Sequence, residues 1–273
     1  MLLSMDSGVS ALDQFQQQLN VIGNNIANVD TAGFKSADVE FANALSQTVG
    51  SNSVGTMQVG TGVTTSSIAN QFTQGAINTT GVQTNMAVNG NGFFVVKDSA
   101  SGQTYVTRDG DFAVDTNGFL VTSTGMRVQG YTDSTHTAIG DIQINNSGAP
   151  GGDTSAVQNY TFDSSGNVNI LLADGTQYTG GQILLQNFTT PTQLLSVGNN
   201  LYSGMANAGP LATAVAPSSN GLGNLITGSL EMSNVDLAVQ LTALITTQRA
   251  YEANTKVITT SDEILQDLVN LKR

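Results

Sequence analysis

The chain of 273 residues contains no cysteine, no tryptophan and few charged side chains. Without cysteine it can form no disulfide, thiolate metal site or cysteine nucleophile. Lys and Arg together number 8 against 20 Asp and Glu, which gives a net charge of −12. Nucleic acid is therefore not an expected partner, because phosphate contacts need basic residues. No apolar run approaches the length of a bilayer span, so we expect no membrane insertion.

The first fifteen residues, MLLSMDSGVSALDQF, do not have the pattern of a secretory signal. They contain no basic segment, no long apolar core and no clear small-residue cleavage site. We therefore expect any export of this chain to leave the N-terminus uncleaved.

Residues 1–29 carry a heptad pattern that predicts a helix with one apolar seam. Two apolar series with a spacing of seven run through the segment: Met5, Leu12, Leu19 and Ile26, and Phe15, Ile22 and Val29. Asn residues cluster near its end, at 20, 24, 25 and 28, although Asn is a poor residue inside helices. The cluster indicates either a polar ridge that faces another helix or a channel, or a frayed, solvated helix end.

Residues 235–271 carry a second heptad pattern, and Ser233, Asn234 or Asp236 could cap the start of the helix that it predicts. A helix of about 36 residues would be roughly 54 Å long, too long to be buried in one small domain. We therefore expect the two ends of the chain to pair as a coiled coil. The predicted seam consists of Leu12, Phe15, Leu19, Ile22, Ile26, Leu237, Leu241, Leu244, Tyr251, Ile258 and Leu265.

The roughly 190 residues between the two helices are rich in Gly, Ser, Thr and Asn and predict short antiparallel strands. Dipeptides such as Asn89-Gly90, Asp109-Gly110 and Asn117-Gly118 indicate tight turns. The predicted fold class is thus α+β, with terminal helices and a central all-β domain. The predicted divisions are a helical axial core at 1–41 and 225–273, an extended connector at 42–75, a β domain at 76–202 and a second connector at 203–224.

No motif in the chain predicts catalysis, a cofactor or a metal site. His136, the single histidine, lies in a polar turn without an accompanying nucleophile motif. Asp109, Asp111 and Asp115 have a spacing that resembles part of a calcium loop, but the twelfth position is Leu120 instead of Glu. These carboxylates are interpreted as solvated hairpin residues. Arg249 and Glu252 form either a local pair on one helix face or a contact between subunits.

Four ordered segments resemble the bacterial flagellar rod and hook axial proteins. Residues 24–35 (NNIANVDTAGFK) are similar to the N-terminal signature of that family, and residues 228–237 with 247–254 are similar to its C-terminal signature. Residues 88–96 and 107–112 resemble its first β domain. The residues that carry the two signatures are Asn24, Asn25, Ala27, Asn28, Thr31, Gly33, Phe34, Ser233, Asn234, Val235, Gln248, Arg249 and Tyr251.

The resemblance implies a structural, non-enzymatic subunit without a cofactor that self-assembles into a helical tube. It further implies export through the flagellar type III apparatus without cleavage, and a place outside the cell in the hook or basal body. The implied partners are further copies of the chain, the rod, the hook cap protein and the hook–filament junction proteins.

The choice between hook and rod depends on details. Residues 125–131, 181–188 and 265–271 resemble the hook protein, which would be a flexible joint that transmits torque from rod to filament. Hook proteins are typically longer, however, and a loop at 147–156 occupies the place of their outer domain. We therefore predict a short hook protein, with a distal rod protein as the alternative.

Two other classes of protein fit less well. A coiled-coil surface adhesin would usually need a secretory signal and an anchor. A glycan-active or calcium-dependent β enzyme would need paired carboxylates and aromatic residues, yet aromatics make up only 6% of the chain.

Overall fold

A computed structural model describes residues 2–52, 55–133, 136–146, 148–150, 155–211 and 214–271. The predicted loop at 147–156 therefore lies partly outside the described residues. The chain forms two compact units. Unit 1 consists of Met1–Val29, Ser36–Gln71 and Val235–Arg273, and unit 2 consists of Asp30–Lys35 and Phe72–Asn234.

Unit 1 contains the two long helices, α1 (Leu2–Ala27) and α2 (Leu237–Leu271). The Asp236 carboxylate caps α2, because its Oδ1 accepts hydrogen bonds from the backbone N–H groups of Ala238 (2.9 Å) and Val239 (3.2 Å). The helices pack against each other. They run antiparallel, since Gly8 near the start of α1 lies against Ile258 and Asn25 near its end lies against Gln240.

Unit 1 also contains four strands. Three of them lie in the segment 42–75 that was predicted as an extended connector, and the first lies mostly in the segment 1–41 that was predicted as helical axial core. Their bounds are β1 Ala37–Asn43, β2 Ser46–Asn52, β3 Gly55–Gly60 and β4 Val63–Asn70. β1 pairs antiparallel with β4, with a bulge at Glu40/Phe41, and β2 pairs antiparallel with β3. The prediction for 42–75 missed these strands because the half-buried positions of β4 alternate correctly but are held by small residues such as Thr65 and Ser67.

Unit 2 is built on antiparallel strands, as the turn-rich sequence predicts. Its strands are β5 Ile77–Thr79, β6 Met86–Asn89, β7 Phe93–Lys97, β8 Thr104–Thr107, β9 Phe112–Val114, β10 Leu120–Thr122, β11 Arg127–Tyr131, β12 Ile139–Asp141, β13 Val157–Phe162, β14 Asn167–Leu172, β15 Gln177–Ile183, β16 Leu185–Gln186, β17 Leu195–Gly198, β18 Leu201–Ser203, β19 Asn224–Thr227 and β20 Ser229–Glu231. A 3-10 turn at Pro191–Gln193 accompanies these strands.

Most of these strands belong to one sheet, whose main path among the described residues is β13-β14-β15-β11-β7-β8-β18-β17. Two smaller pairs, β6 with β19 and β5 with β20, join the beginning of unit 2 to its end. One apolar cluster is formed around Phe94, Val128 and Ile183, and another around Phe93, Phe188 and Tyr202. The buried strands therefore supply a core within unit 2 itself.

Two boundary predictions differ from the structure of unit 2. Residues 225–232 were assigned to the helical axial core, but they form β19 and β20 and pair with strands at the start of unit 2. Asp109-Gly110 was predicted as a tight turn, but Gly110 serves close packing, since a Cβ there would meet the Met86 carbonyl oxygen. The flanking strands β8 and β9 do not pair with each other in the described sheet. In the part of the chain that is described, neither helix is long and apolar enough to cross a lipid bilayer.

Candidate assembly surface

The contact between α1 and α2 is made by an apolar stripe on each helix with small and polar residues beside it. On α1 all five residues of the predicted seam are buried or half-buried, and Ile22 is the most buried of them. On α2, Leu244, Tyr251, Ile258 and Leu265 are half-buried. A second α2 series, four residues earlier in each heptad, is buried or half-buried too: Gln240, Thr247, Asn254 and Ser261.

The predicted seam is wrong at Leu237 and Leu241. Their exposed fractions are 44% and 45%. Leu237 continues the seven-residue series of Leu244, but it is the first residue of α2. The prediction chose Leu237 and Leu241 because it searched for large apolar residues at heptad spacing. The structure instead buries the small and polar series, since short side chains let the helices approach closely, as at Gly8, where an added Cβ would lie 3.3 Å from Ile258 Cγ1.

Many large apolar residues of α2 stay exposed in the single chain. We call this set the outward apolar surface: Leu237, Val239, Leu241, Ile245, Val257, Ile264, Val269 and Leu271. Val239 and Val257 are 18 residues apart, which is about five turns, so they project in the same direction. Leu237 and Leu241, one turn apart, project in another direction. Apolar surface of this extent on more than one side of a helix marks a place of protein contact.

The Asn cluster at the end of α1 is divided between buried and exposed positions. Asn25 is buried and pairs with the backbone of Ala37 in both directions: its Nδ2 donates to the carbonyl (2.9 Å), and its Oδ1 accepts from the N–H (3.0 Å). Its Nδ2 also lies 3.3 Å from Gln240 Oε1 on α2. Asn20 and Asn24 are exposed, and Asn28 Nδ2 bonds the Asn24 carbonyl (2.9 Å). Asn25 thus contacts the other helix, and it also docks β1 on α1.

The small sheet of unit 1 packs on α1 through polar and aromatic side chains. Thr65 of β4 donates its hydroxyl hydrogen to Gln17 (2.8 Å) and also contacts Gln14. The rings of Phe15 and Phe41 meet edge to face with 6.3 Å between their centroids. Phe15, which the prediction gave to the helix seam, therefore contacts a strand.

The signature residues that follow α1 lie in unit 2, where glycine is required at position 33. Gly33 has φ +69°, and a Cβ there would lie 2.6 Å from the backbone N of Asp109. The Gly33 N–H donates to the Glu231 carbonyl (2.7 Å). Thr31 and Phe34 belong to the same turn, in which Phe34 N–H bonds the Thr31 carbonyl (3.4 Å). Asn200 Nδ2 donates to the Ala32 carbonyl (2.7 Å) and fastens this segment to the turn before β18.

A buried cluster of charge lies beside this turn in unit 2. Glu231 accepts from Lys35 Nζ at 2.7 Å and from Arg108 Nη1 at 3.3 Å, and all three side chains are almost fully buried. Burial lowers the pKa of Lys35 and of Arg108, and the Glu231 carboxylate opposes both shifts. These residues lie in three of the segments that resemble the rod and hook proteins, residues 24–35, 107–112 and 228–237, but no local pattern predicted that they pair. Their signal was the presence of charge in segments that are otherwise almost uncharged.

The remaining signature residues occupy varied positions. Ser233 is buried, and Asn234 Nδ2 donates to Thr73 Oγ1 (2.8 Å) within unit 2. Val235 is half-buried, whereas Ala27, Gln248 and Arg249 are exposed. The exposed signature residues make no contribution to the core of the single chain.

Among the aspartates that were interpreted as solvated hairpin residues, Asp109 differs from that interpretation and Asp111 agrees with it. Asp109 is half-buried, and burial raises the pKa of its carboxyl to about 6. Asp111 is exposed, and its backbone N–H donates to Asp109 Oδ1 (3.1 Å). Within the described ranges, no three His, Asp or Glu side chains lie close enough together to hold a metal ion.

A long helix that keeps many large apolar residues exposed in the single chain is a feature of structural subunits that assemble. Three family models match it in order along the sequence. Residues 5–35 match the flagella basal body rod protein family, residues 87–170 match the D1 domain of the flagellar hook protein FlgE/F/G family, and residues 226–271 match the C-terminal region of the flagellar basal body rod FlgEFG proteins.

Individual relatives cover the whole chain. The flagellar basal-body rod protein FlgG of Bacillus subtilis is 39% identical over 281 positions that span all of both chains. FlgG of Borreliella burgdorferi is 33% identical over 285 positions, again across both chains. The flagellar hook protein FlgE of the same Borreliella strain is 26% identical, in an alignment of 447 positions. This chain belongs to the flagellar rod and hook axial protein family.

Proposed function

We propose that this chain is a rod subunit of the flagellar basal body, in the position of the distal rod, and not the short hook protein that the sequence analysis preferred. The full-length alignments support this choice, because the chain is 39% and 33% identical to the two rod proteins and 26% identical to the hook protein. Against the hook protein, its 273 residues fill fewer than two thirds of the 447 aligned positions.

The segments that suggested a hook protein do not discriminate between the two. Residues 127–131 form β11 in the middle of the sheet, and Ile183, Leu184 and Leu185 are fully buried. Sequence in such positions is determined by core packing, which rod and hook members both need. Residues 265–271, the third segment, form the last turns of α2.

The outward apolar surface is the observation that carries the assembly proposal. Eight large apolar side chains on a helix that already buries one stripe need further partners to leave water. Because these residues project in at least two directions, one chain must contact more than one neighbour. Contacts between unlike faces of identical subunits generate rings or helical filaments instead of closed dimers. The proposed assembly is therefore a helical tube of copies of this chain.

In this assembly α1 and α2 form the axial core as a coiled coil, supported by their antiparallel packing and by the predicted heptads. The role is structural, without catalysis or a cofactor. The proposed partners are neighbouring copies, the preceding rod segment and the hook. The subunit is exported uncleaved through the type III apparatus and is located in the rod, outside the cytoplasm.

Electron microscopy of basal bodies from cells without this gene tests the proposal. A rod subunit predicts basal bodies whose rod is missing or truncated, with no hook or filament beyond it. Complementation with the intact gene restores the rod and serves as the control. Complete rods without hooks would instead identify a hook protein, and normal flagella would refute both functions.

A further inference from the structure

One buried carboxylate in unit 2 holds three separate stretches of the chain. Glu231 Oε1 accepts hydrogen bonds from Lys35 Nζ (2.7 Å) and from the backbone N–H of Gly75 (2.9 Å). Its Oε2 accepts from Arg108 Nη1 (3.3 Å). Lys35, Gly75 and Glu231 belong to residues 30–35, 72–75 and 229–234, and Arg108 follows β8 of the large sheet.

These three stretches are the ends of unit 2. The chain enters or leaves the unit at Asp30, Lys35, Phe72 and Asn234. Each of these residues lies within five positions of Glu231 or is, or lies within five positions of, a residue that bonds its carboxylate. We call residues 30–35, 72–75 and 229–234 the junction stretches. They contain the points at which the β unit continues covalently into α1, β1, β4 and α2.

Further hydrogen bonds connect the same stretches. Gly33 N–H donates to the Glu231 carbonyl (2.7 Å), and Met232 N–H donates to the Ala76 carbonyl (2.8 Å). Lys35 Nζ donates to the Thr73 carbonyl (2.7 Å) as well as to Glu231. Gly75 packs so closely that a Cβ there would meet the Met232 carbonyl oxygen. Each stretch is therefore bonded to the others and not only to the sheet.

The charges make this arrangement cooperative. Glu231 is paired with two cations, and the side chains of Lys35 and Glu231 have 0% exposure. If residues 30–35 or 229–234 leave, they take away Lys35 or Glu231 and leave the opposite charge buried without its partner, which is strongly unfavourable. If residues 72–75 leave, the buried Glu231 and Lys35 each lose a hydrogen bond, to the Gly75 N–H and to the Thr73 carbonyl. Opening of one junction stretch should therefore favour opening of all three.

We propose that Glu231 is a positioning residue that orders the three junction stretches as one cooperative unit, so that the exits toward the terminal helices become fixed together. The consequence for assembly rests on the proposed function, because a tube subunit must present its helices from fixed points. The cooperativity itself is a property of the single chain and is tested on it.

Native-state hydrogen exchange of the unmodified protein is the first test. The backbone amides of Gly33, Gly75 and Met232 report the three stretches, and the amide of Leu120, bonded to the Ile142 carbonyl at 3.0 Å, reports the sheet. We expect the three reporters to open together, with protection factors equal within about threefold and lower than that of Leu120. Reporters that open independently, with protection spread over more than about a hundredfold, would overturn the proposal.

A matched pair of variants provides the second test. Glu231→Gln keeps the shape but removes the charge, and Asp141→Asn makes the same change at the half-exposed pair that Asp141 forms with Arg127 (2.8 Å). In Glu231→Gln we expect the protection of Gly33 and Gly75 to fall by at least about tenfold while that of Leu120 is retained. Asp141→Asn should leave the protection of the Gly33, Gly75 and Leu120 amides unchanged.

Other outcomes contradict the role. An equal loss of protection at Leu120 would make Glu231 a general stability residue, and unchanged protection at Gly75 would show that the carboxylate positions nothing. If Glu231→Gln does not fold, the exchange pattern of the unmodified protein decides. The two proposals are tested independently. If the intact gene does not support rods in complemented cells, the rod function is refuted. The hydrogen-exchange data still test the cooperativity of the junction stretches, because they are measured on the single chain.

Discussion

At the scale of single residues, unit 2 depends on small residues where segments approach closely and on a few charges placed in its interior. Gly33 is the clearest case of the first kind, and Asp109 and Glu231 are cases of the second. Gly33 and Asp109 lie against each other, since the nearest atom to a Cβ at position 33 would be the backbone N of Asp109. Substitutions at these positions should therefore lower the free energy of unfolding of unit 2 more than substitutions at exposed positions do.

Gly33→Ala should destabilise unit 2 by about 2–4 kcal/mol. The added Cβ would be 2.6 Å from a backbone atom of Asp109, and φ +69° is unfavourable for alanine. Gly125→Ala is the control, since its φ is +81° but nothing lies within 4 Å, so only about 1 kcal/mol should be lost. Urea unfolding followed by tyrosine fluorescence measures both, and equal losses would contradict the contact argument.

The buried carboxyl of Asp109 predicts how stability depends on pH. Its pKa in the folded chain is about 6, above the ordinary value of 3.8. The folded state therefore holds a proton that the unfolded state has already lost, and the free energy of unfolding falls as pH rises from about 4 to 6. Above pH 6 the loss is complete, at about 1–3 kcal/mol.

Asp109→Asn should remove this dependence and raise stability at pH 7, because an amide keeps an oxygen that can accept from Asp111 N–H. Urea unfolding at pH 4.5 and pH 7 measures the slope. Asp111→Asn removes an exposed charge that contributes less than burial does to the raised pKa of Asp109, so most of the slope should remain. An unchanged slope in Asp109→Asn would show that another group titrates in this range.

At the scale of helices and strands, the same α2 helix presents one stripe to α1 and other faces outward. Val257 is 45% exposed, whereas its neighbour Ile258 is half-buried and lies against Gly8. Substitutions at these two adjacent residues can therefore test the contacts between copies and the contacts within unit 1 separately.

Val257→Ser should leave the helical content of the monomer unchanged and weaken self-assembly, because it removes apolar surface that only a neighbouring copy can bury. Ile258→Ser should instead loosen the α1–α2 contact, at a cost of about 2–4 kcal/mol. Circular dichroism of the monomer and sedimentation of assembled protein give the two readouts. Loss of monomer helix in Val257→Ser, or normal assembly, would contradict this division.

The elements also show how far the sequence was sufficient. Heptad spacing predicted both helices to within about two residues, since α1 and α2 retain apolar residues at regular intervals. It did not identify the buried polar series at Gln240, Thr247, Asn254 and Ser261, because a search for large apolar residues cannot recognise a stripe of small ones. The strands β1 to β4 were missed for a related reason: side chains such as Thr65 are held by hydrogen bonds and not by apolar burial.

Functional residues could be predicted from the sequence only where a local motif marks them. The resemblance marked Gly33 and Asn25, whose backbone contacts explain why those residue types are needed. The charge cluster of Lys35, Arg108 and Glu231 joins positions up to 196 residues apart, and no local pattern pairs them. Core segments such as residues 181–188 suggested a hook protein because packing constrains them in the same way in both kinds of protein.

At the scale of the whole molecule, the excess of acidic residues opposes the assembly that the helices favour. The net charge of −12 makes copies repel one another, and the Debye length falls from about 30 Å at 0.01 M salt to about 8 Å at 0.15 M. Self-assembly of the purified protein, followed by light scattering, should therefore be faster at 0.15 M than at 0.01 M salt. A sugar solution of equal osmolality should give no acceleration, and slower assembly in salt would indicate ion pairs between copies.

The central claim is that this chain is a rod subunit whose outward apolar surface is covered by neighbouring copies. The absence of cysteine makes a direct measurement possible. Val257→Cys and Ser101→Cys each place a single thiol in the subunit, the first on the outward apolar surface and the second on an exposed turn of unit 2.

Maleimide labelling compares each variant as free monomer and in basal bodies isolated from complemented cells. The subunit should be recovered in the rod. The thiol of Val257→Cys should react with maleimide in the monomer, and its labelling should fall by at least about tenfold in the rod. Labelling of Ser101→Cys, measured in the monomer and in the rod, shows how well the reagent reaches an exposed thiol in each state. Equal reactivity of Val257→Cys in both states would contradict the proposed assembly surface, and absence of the subunit from rods would contradict its function.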